Sequence, residues 1–146
     1  MGSRDEVSLS VTPKTAFISK SLKGKVLLIT SEDKEYWSKG ENKPLPMDAI
    51  AEAPEVDTIV LGEVLQRVEN PVEYLKLAKK KSKRIIITVP NEWSWAQQWH
   101  PFENKQHKQK YDADLLAEHL DAVGLTYVMK AIDYQGWAFL GAEATG

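Results

Sequence analysis

The sequence predicts an α/β fold whose sheet is mostly parallel and ends in an antiparallel hairpin. Short apolar runs that suit buried strands alternate with helical segments, which is typical of a parallel sheet covered on both faces. The run Arg84 to Val89 (RIIITV) is apolar at successive positions, as in the middle of such a sheet. Two further strand-like segments, 125–132 and 137–140, flank a turn at 133–136 near the end of the chain.

Length, composition and charge describe an ordinary globular chain. The 146 residues suit one domain, which we expect to span residues 12–146 behind a flexible lead-in at 1–11. A formal net charge of −2 gives no global attraction to nucleic acid or an anionic membrane. The absence of cysteine excludes disulfides and thiolate metal sites. No bilayer-spanning run or signal peptide is evident, so we expect a cytoplasmic protein with no nucleic-acid or membrane partner.

The amino-terminal part is predicted to contain two short helices around a strand. The first helix begins at Thr12-Pro13, where the hydroxyl can cap and proline suits the first helical position. This helix turns Phe17 and Ile18 inward. The apolar run Lys25 to Thr30 (KVLLIT) is a buried strand. A second short helix over 31–40 precedes a loop or a very short strand.

The middle of the chain predicts a strand, a turn and a helix. The strand covers Val56 to Leu61 (VDTIVL), and Gly62-Glu63 forms the turn. Asn70 caps the helix, proline follows at the first helical position, and Glu73 reaches back to complete a capping box. The residues expected on the buried face of this helix are Val72, Leu75 and Ala78.

The last helix is predicted from Asp112, its cap, to Val123, with Gly124 as its stop. Its inward face comprises Leu116, Leu120 and Val123. The segment before it, 92–111, is irregular and aromatic. Its three tryptophans, at 93, 95 and 99, form either a substrate wall, an oligomer contact or a satellite hydrophobic cluster, and we favour the cluster.

Ligands of open α/β sheets bind in the crevice at the carboxyl ends of the strands. In this sequence those ends are Thr30 to Glu32, Asp48-Ala49, Leu61 to Glu63, and Pro90-Asn91. The simpler alternative for Asp48 is a loop aspartate that caps the next turn. For Gly62 and Glu63 it is a tight strand-to-helix turn that needs a glycine and a solvated acid.

The segment Asp57 to Pro71 (DTIVLGEVLQRVENP) resembles the class I S-adenosylmethionine (SAM)-dependent methyltransferases, in which a hydrophobic strand precedes a (G)EVLEHV-x-(N/D)P run. The segment Ile85 to Asn91 (IIITVPN) is similar to the family's next strand, which often ends in VPN. Further along, His107, Tyr111 and the pattern over 115–125 resemble its H…(F/Y)-x-x-x-x-L…L…aGF. The type 11/23 methyltransferases are the members that the chain looks most like.

The resemblance covers roughly 43–140 and implies a Rossmann-like methyltransferase sheet with SAM as cofactor. The methyl group would pass to a small-molecule or protein acceptor, mainly through positioning of the two reactants. The resemblance implies that Asp48-Ala49 faces the adenine and that Leu61, Gly62 and Glu63 line the cofactor pocket. Glu63 and His107 are the best candidates for a general base, if the acceptor carries a proton.

The sequence departs from the family at the first strand. The family follows that strand with a D-x-G-x-G-x-G loop, whereas this chain has no G-x-G and its nearest glycines are five residues apart. KVLLIT stands either for the first strand, with the loop replaced and a strand–helix unit missing, or for the second strand, whose terminal acid binds the ribose hydroxyls. In the second register Thr30 takes the place of that acid and Glu32 lies just beyond it. Either way, the sheet and the SAM site are reduced on the amino-terminal side.

These departures leave two functions open. The chain is either a SAM-dependent enzyme or a non-catalytic methyltransferase-like binding or assembly subunit, whose shortened sheet another copy or a partner protein covers. The missing loop favours the second function and predicts weak or absent SAM binding. The retained central motifs favour the first, although the family's Glu-His after the fourth strand is Gln66-Arg67 here.

A metal site is not predicted. The histidines, at 100, 107 and 119, are too far apart for a helical ligand pair, and no carboxylate lies beside them at a metal-binding spacing. The basic run at 76–84 is interpreted as a solvated helix end, where positive charge complements the helix dipole. It lacks the interleaved aromatic residues of a nucleic-acid platform.

Overall fold

The computed structural model describes residues 17–18, 24–30, 47–91, 109–134 and 137–146. In these ranges the strands are β1 (Val26–Thr30), β2 (Thr58–Gly62), β3 (Arg84–Pro90), β4 (Thr126–Tyr134) and β5 (Trp137–Thr145). The helices are α1 (Pro71–Lys81) and α2 (Ala113–Val123), with 3-10 helices over Met47–Glu52 and Leu65–Arg67, and residues 17–18 are also helical. The predicted helix over 31–40 and the tryptophan segment lie outside the described residues.

The strands form one sheet in the order β1-β2-β3-β5-β4. The strands β1, β2 and β3 are parallel, and the β4–β5 hairpin joins β3 in the antiparallel sense. The predicted fold class is therefore confirmed. Parallel pairing places Thr30 beside Gly62, and Gly62 beside Thr88, so the carboxyl ends of the three strands lie at one edge of the sheet.

The position of β1 distinguishes between the two registers of KVLLIT. In the doubly wound order 3-2-1-4-5-6, the first strand lies directly beside the fourth. Here β1 pairs with β2, and β2 carries the motif that resembles the family's fourth strand. The run KVLLIT therefore occupies the place of the first strand. Residues 31–57 connect β1 to β2, and of these 31–46 lie outside the described residues.

Both faces of the sheet are packed. One face packs against the inward sides of α1 and α2, through Leu75 and Ala78 of α1 and Leu116 and Leu120 of α2, all fully buried. On the other face, Ile18 is buried with residues of β1, β2 and β3. Phe17 lies so close to β5 that a Cβ atom on Gly141 would come within 2.7 Å of its ring. The inward orientation predicted for Phe17 and Ile18 is confirmed.

Helices α1 and α2 begin with the caps predicted for them. Asn70 Oδ1 accepts a hydrogen bond from the Glu73 N–H at 3.2 Å, and Asp112 Oδ1 accepts one from the Leu115 N–H at 2.8 Å. The reciprocal half of the predicted capping box is wrong, because the Glu73 carboxylate pairs with Lys76 at 3.3 Å instead. The second helix ends at Gly124, whose φ of 79° lies in the left-handed region.

Several element boundaries differ from the prediction. The strands of the final hairpin extend to Tyr134 and from Trp137 to Thr145, so 133–134 belong to β4 rather than to the turn. The cross-strand ion pair of Arg84 and Glu143 ties β5 to β3 beyond the predicted end at Leu140. Residues 50–52, predicted as part of a connector, form the end of a 3-10 helix.

Loss of the α2 cap gives a direct test of this local structure. We expect Asp112→Ala to lower the free energy of unfolding by about 1 kcal/mol, because the Leu115 N–H loses its acceptor. Urea denaturation followed by circular dichroism measures the change. The control is Asp114→Ala, which removes an exposed acid from the same helical turn without removing the cap. Equal losses in the two variants would contradict the assigned role of Asp112.

Candidate functional site

The candidate site lies where the three parallel strands end. Thr30 is the last residue of β1 and Gly62 the last of β2, and the two are register partners. The chain then turns at Glu63 and enters the 3-10 helix Leu65–Arg67. On the other side of β2, β3 continues past Thr88 to Pro90. This edge of the sheet is the crevice where open α/β folds bind ligands.

Glu63 has the most unusual backbone conformation at this edge. Its φ of 55° is positive, and within the described ranges no other residue except glycine has a positive φ. Its N–H donates to the Thr88 carbonyl oxygen at 2.8 Å, which extends the β2–β3 pairing one residue beyond β2. The side chain is only 7% exposed. A left-handed backbone strains a residue that has a Cβ atom, and such strain concentrates at functional sites.

Gln66 places an amide oxygen in the same turn. The residue is 1% exposed, and its Oε1 is buried without a hydrogen-bond partner. Its main-chain carbonyl accepts a hydrogen bond from the Gln109 N–H at 3.0 Å, which brings the segment before α2 against the turn. A buried acceptor with no donor destabilises a protein by about 1–3 kcal/mol, so the site favours a ligand or water that donates to it.

The structure brings together some of the predicted cofactor residues. Thr30, Gly62 and Glu63 lie at the same edge, and Leu61 is fully buried one residue before the end of β2. Asp48 and Ala49 lie in the 3-10 helix Met47–Glu52, and a strand preceding them would fall outside the described residues. Glu32 and His107 also lie outside the described residues.

Gln66 and Thr88 are site residues that the sequence did not single out. In the sequence, Gln66 stands out only as a departure from the family's Glu-His pair. Its position as a polar residue shortly after a strand end was a signal that could have identified it as a site residue. Thr88 is fully buried in β3. Its place beside Gly62 depends on the register of β3 against β2, which the sequence of one strand does not reveal.

His119 of α2 contacts Tyr111. The Tyr111 hydroxyl lies 2.8 Å from His119 Nδ1, and the rings meet edge to face. Burial raises the pKa of Tyr111 above its ordinary value. Burial also lowers the pKa of His119, and the charge of Glu118 opposes part of that shift. Among the described residues, no three metal-ligating side chains converge, while His100 and His107 lie outside them.

No helix in the described ranges is long and apolar enough to cross a membrane. No protein-family model matches the chain. No curated protein resembles it in sequence at a significant level.

Solved structures with the same fold are methyltransferases. A SAM-dependent methyltransferase from Thermotoga maritima, described as a possible histamine N-methyltransferase, aligns at a TM-score of 0.63 and 12% identity, over 91% of this chain and 87% of its own. A SAM-dependent methyltransferase from Aquifex aeolicus aligns at 0.62 and 12% identity, over 99% and 93%. The fold is that of the class I SAM-dependent methyltransferases.

A larger enzyme shares this methyltransferase fold. Magnesium protoporphyrin IX methyltransferase from Synechocystis PCC 6803, solved with bound S-adenosylhomocysteine (SAH), aligns at a TM-score of 0.52 and 12% identity. The alignment covers 75% of this chain but only 54% of the Synechocystis chain, so this chain spans about half the length of that enzyme.

The backbone of Glu63 can be tested with two variants that both remove its side chain. We expect Glu63→Gly to be more stable to unfolding than Glu63→Ala by about 1 kcal/mol, because glycine adopts a φ of 55° without strain and alanine does not. Urea denaturation of both variants measures the difference. Because each lacks the carboxylate, the comparison isolates the backbone. Equal stability would show that residue 63 is not held in the left-handed region.

The Tyr111–His119 contact predicts a pH dependence of stability. The pKa of His119 is lowered in the folded state, so its contribution to the free energy of unfolding is fully present above pH 6.5, the pKa of histidine in the unfolded chain. The contribution is lost as pH falls through the lower folded pKa, because the unfolded chain takes up the proton first. We expect His119→Asn, which keeps an acceptor but does not titrate, to lose less stability between pH 7.5 and pH 5, values chosen roughly to bracket an ordinary histidine pKa.

Urea denaturation at several pH values measures this difference. All other titrating groups are common to the parent and to His119→Asn, so they cancel in the comparison. Parallel stability curves for the two proteins would contradict the expectation.

Proposed function

We propose that the protein is a SAM-dependent methyltransferase that transfers the cofactor's methyl group to a small-molecule or protein acceptor. One observation carries the proposal: the turn after β2 buries a carboxylate and an unpartnered amide oxygen at the ligand-binding edge of a sheet with the methyltransferase fold. The SAH bound to the Synechocystis enzyme supports SAM as the cofactor for this fold. The resemblance of 57–71 to the family's central motif supports it independently.

Two described side chains fit a ligand that presents hydrogen-bond donors. The Glu63 carboxylate and Gln66 Oε1 both accept hydrogen bonds. The ribose hydroxyls and the amino group of SAM can donate to the first, and an N–H or O–H group of the methyl acceptor can donate to the second. The fit is poorer beside β1, because no G-x-G follows that strand to let the backbone approach the cofactor closely. We therefore expect the chain to bind SAM weakly.

The chain's own contribution to methyl transfer is orientation. Bound SAM supplies a methyl group that its positively charged sulfur has already activated. Glu63 is assigned to the lining of the cofactor pocket, because it follows the end of β2 at the edge where open α/β sheets bind ligands. Gln66 Oε1 is assigned to an N–H or O–H group of the methyl acceptor. Its burial strengthens that hydrogen bond, since the competing water is excluded. Glu63 and His107 stay the candidates for a general base.

The alternative, a methyltransferase-like subunit that does not bind SAM, predicts a different outcome of the same experiment. In that case the edge of the sheet beside β1 would carry the function, and a second copy or another protein would cover it. We place either form in the cytoplasm, on the strength of a chain without cysteine.

Titration calorimetry with SAH tests the proposal. We expect saturable binding with a dissociation constant between the micromolar and millimolar ranges. Glu63→Leu should weaken it roughly tenfold, because a hydrogen bond to a charged group contributes on the order of 1.5–3 kcal/mol. The measurement compares the parent and the variant at the same protein concentration.

The matched control is Glu69→Gln, which removes an exposed acid of the same connection. Its affinity for SAH should equal that of the parent. If the parent releases no heat with millimolar SAH or SAM, the isolated chain is not a methyltransferase and the subunit alternative replaces the proposal.

A further inference from the structure

The lysines at the end of α1 form a surface that the proposed methyl transfer does not use. We define this lysine surface as Lys76, Lys79, Lys80, Lys81 and Lys83. It lies where α1 ends and β3 begins, at the amino ends of the parallel strands. The candidate cofactor crevice lies at their carboxyl ends, so a ligand of the lysine surface would not obstruct it. No acidic residue occurs from 74 to 91, although the whole chain carries a net charge of −2.

Most of these ammonium groups have no partner. Lys76 pairs with Glu73 at 3.3 Å, and Lys79 Nζ donates to the Val123 carbonyl oxygen at 2.9 Å. Within the part of the chain that the structure describes, the ammonium groups of Lys80, Lys81 and Lys83 form no ion pair or hydrogen bond. Three lysine charges are thus available to an incoming anion.

The surface is concave. A cavity of about 440 Å³ opens between the end of α1 and the segment before β2, and four lysines line it, from Lys79 to Lys81 together with Lys83. A second cavity of about 460 Å³ shares Lys79 and Lys80 and extends to Lys76. Volumes in the range of roughly 300–1,000 Å³ are those of small-molecule sites.

The floor of the first cavity is fixed by the fold. The Val56 N–H donates to the Lys81 carbonyl oxygen at 2.9 Å, and Ser82 Oγ donates to the Asp57 carbonyl oxygen, also at 2.9 Å. The Asp57 carboxylate accepts a hydrogen bond from the Lys25 N–H at 2.7 Å. Glu55 is the other acid among the described residues of the lining, so lysines outnumber carboxylates there two to one. A hydrogen-bonded floor beneath several lysine charges suits a compact anion.

We propose that the lysine surface binds a compact anion with several phosphate groups, either free or as a phosphate ester. Phosphate fits because the strongly hydrated lysine ammonium binds it as a point charge. Among the described residues, no aromatic side chain lines either cavity, which disfavours a single-stranded nucleic acid that stacks its bases. The concave shape favours a small ligand over a flat membrane surface.

Titration calorimetry with sodium tripolyphosphate at low ionic strength tests the proposal. We expect saturable binding that weakens as salt is added, because mobile ions screen exposed charges. The double variant Lys80→Gln/Lys83→Gln should weaken binding roughly tenfold or more, since each charge near the ligand contributes about a factor of five in water. Lys79 is left unchanged because its ammonium group caps Val123.

The control is the double variant Lys110→Gln/Lys130→Gln, which removes the same charge from exposed positions elsewhere and should bind tripolyphosphate as the parent does. Titration with a nucleoside triphosphate distinguishes a free phosphate chain from a phosphate ester. An affinity equal to that of tripolyphosphate supports the free chain, and tighter binding supports the ester. Glu63→Leu should retain tripolyphosphate binding, so failure of the cofactor proposal leaves this one intact.

Three results would overturn the proposal. They are an absence of saturable binding at millimolar tripolyphosphate, equal losses in the two double variants, and tighter binding of a DNA duplex than of tripolyphosphate through the same lysines. The last result would make the surface a nucleic-acid interface instead.

Discussion

The pairing of β2 with β1 on one side and β3 on the other is the interaction on which the rest of the structure depends. All five residues of β2 are buried, so its backbone groups must find partners within the sheet. The two parallel registers bring Thr30, Gly62 and Thr88 into line. That alignment places the three strand ends side by side at the crevice, and it determines where the chain turns after β2.

The turn after β2 combines strain with buried polarity. The hydrogen bond from the Glu63 N–H to Thr88 holds Glu63 in the left-handed region, and three residues later Gln66 Oε1 is buried without a donor. Each feature destabilises the folded state. Two such features in one short turn, at the end of a strand where this fold binds ligands, are better explained by ligand binding than by packing.

Local signals in the sequence predicted local structure well. The caps Asn70 and Asp112 and the stop at Gly124 were predicted because each depends only on nearby residues. The place of β1 could not be predicted, because it depends on which distant strand β1 pairs with. For the same reason the sequence identified Gly62 and Glu63 as a turn but not the contact of Glu63 with Thr88. The unpartnered oxygen of Gln66 also depends on tertiary burial.

The hairpin and the first strand differ in how far apart in the chain their partners lie. Within the hairpin, Tyr134 pairs with Trp137, whereas β1 must find β2 across the whole connection over 31–57. Closing a longer loop loses more chain entropy, so contacts distant in sequence form more slowly. We expect the hairpin to form early during folding and β1 to join β2 later, an order that pulse-labelled hydrogen exchange can resolve. The crevice would then be completed only after the hairpin has formed, because β1 supplies one of its strand ends.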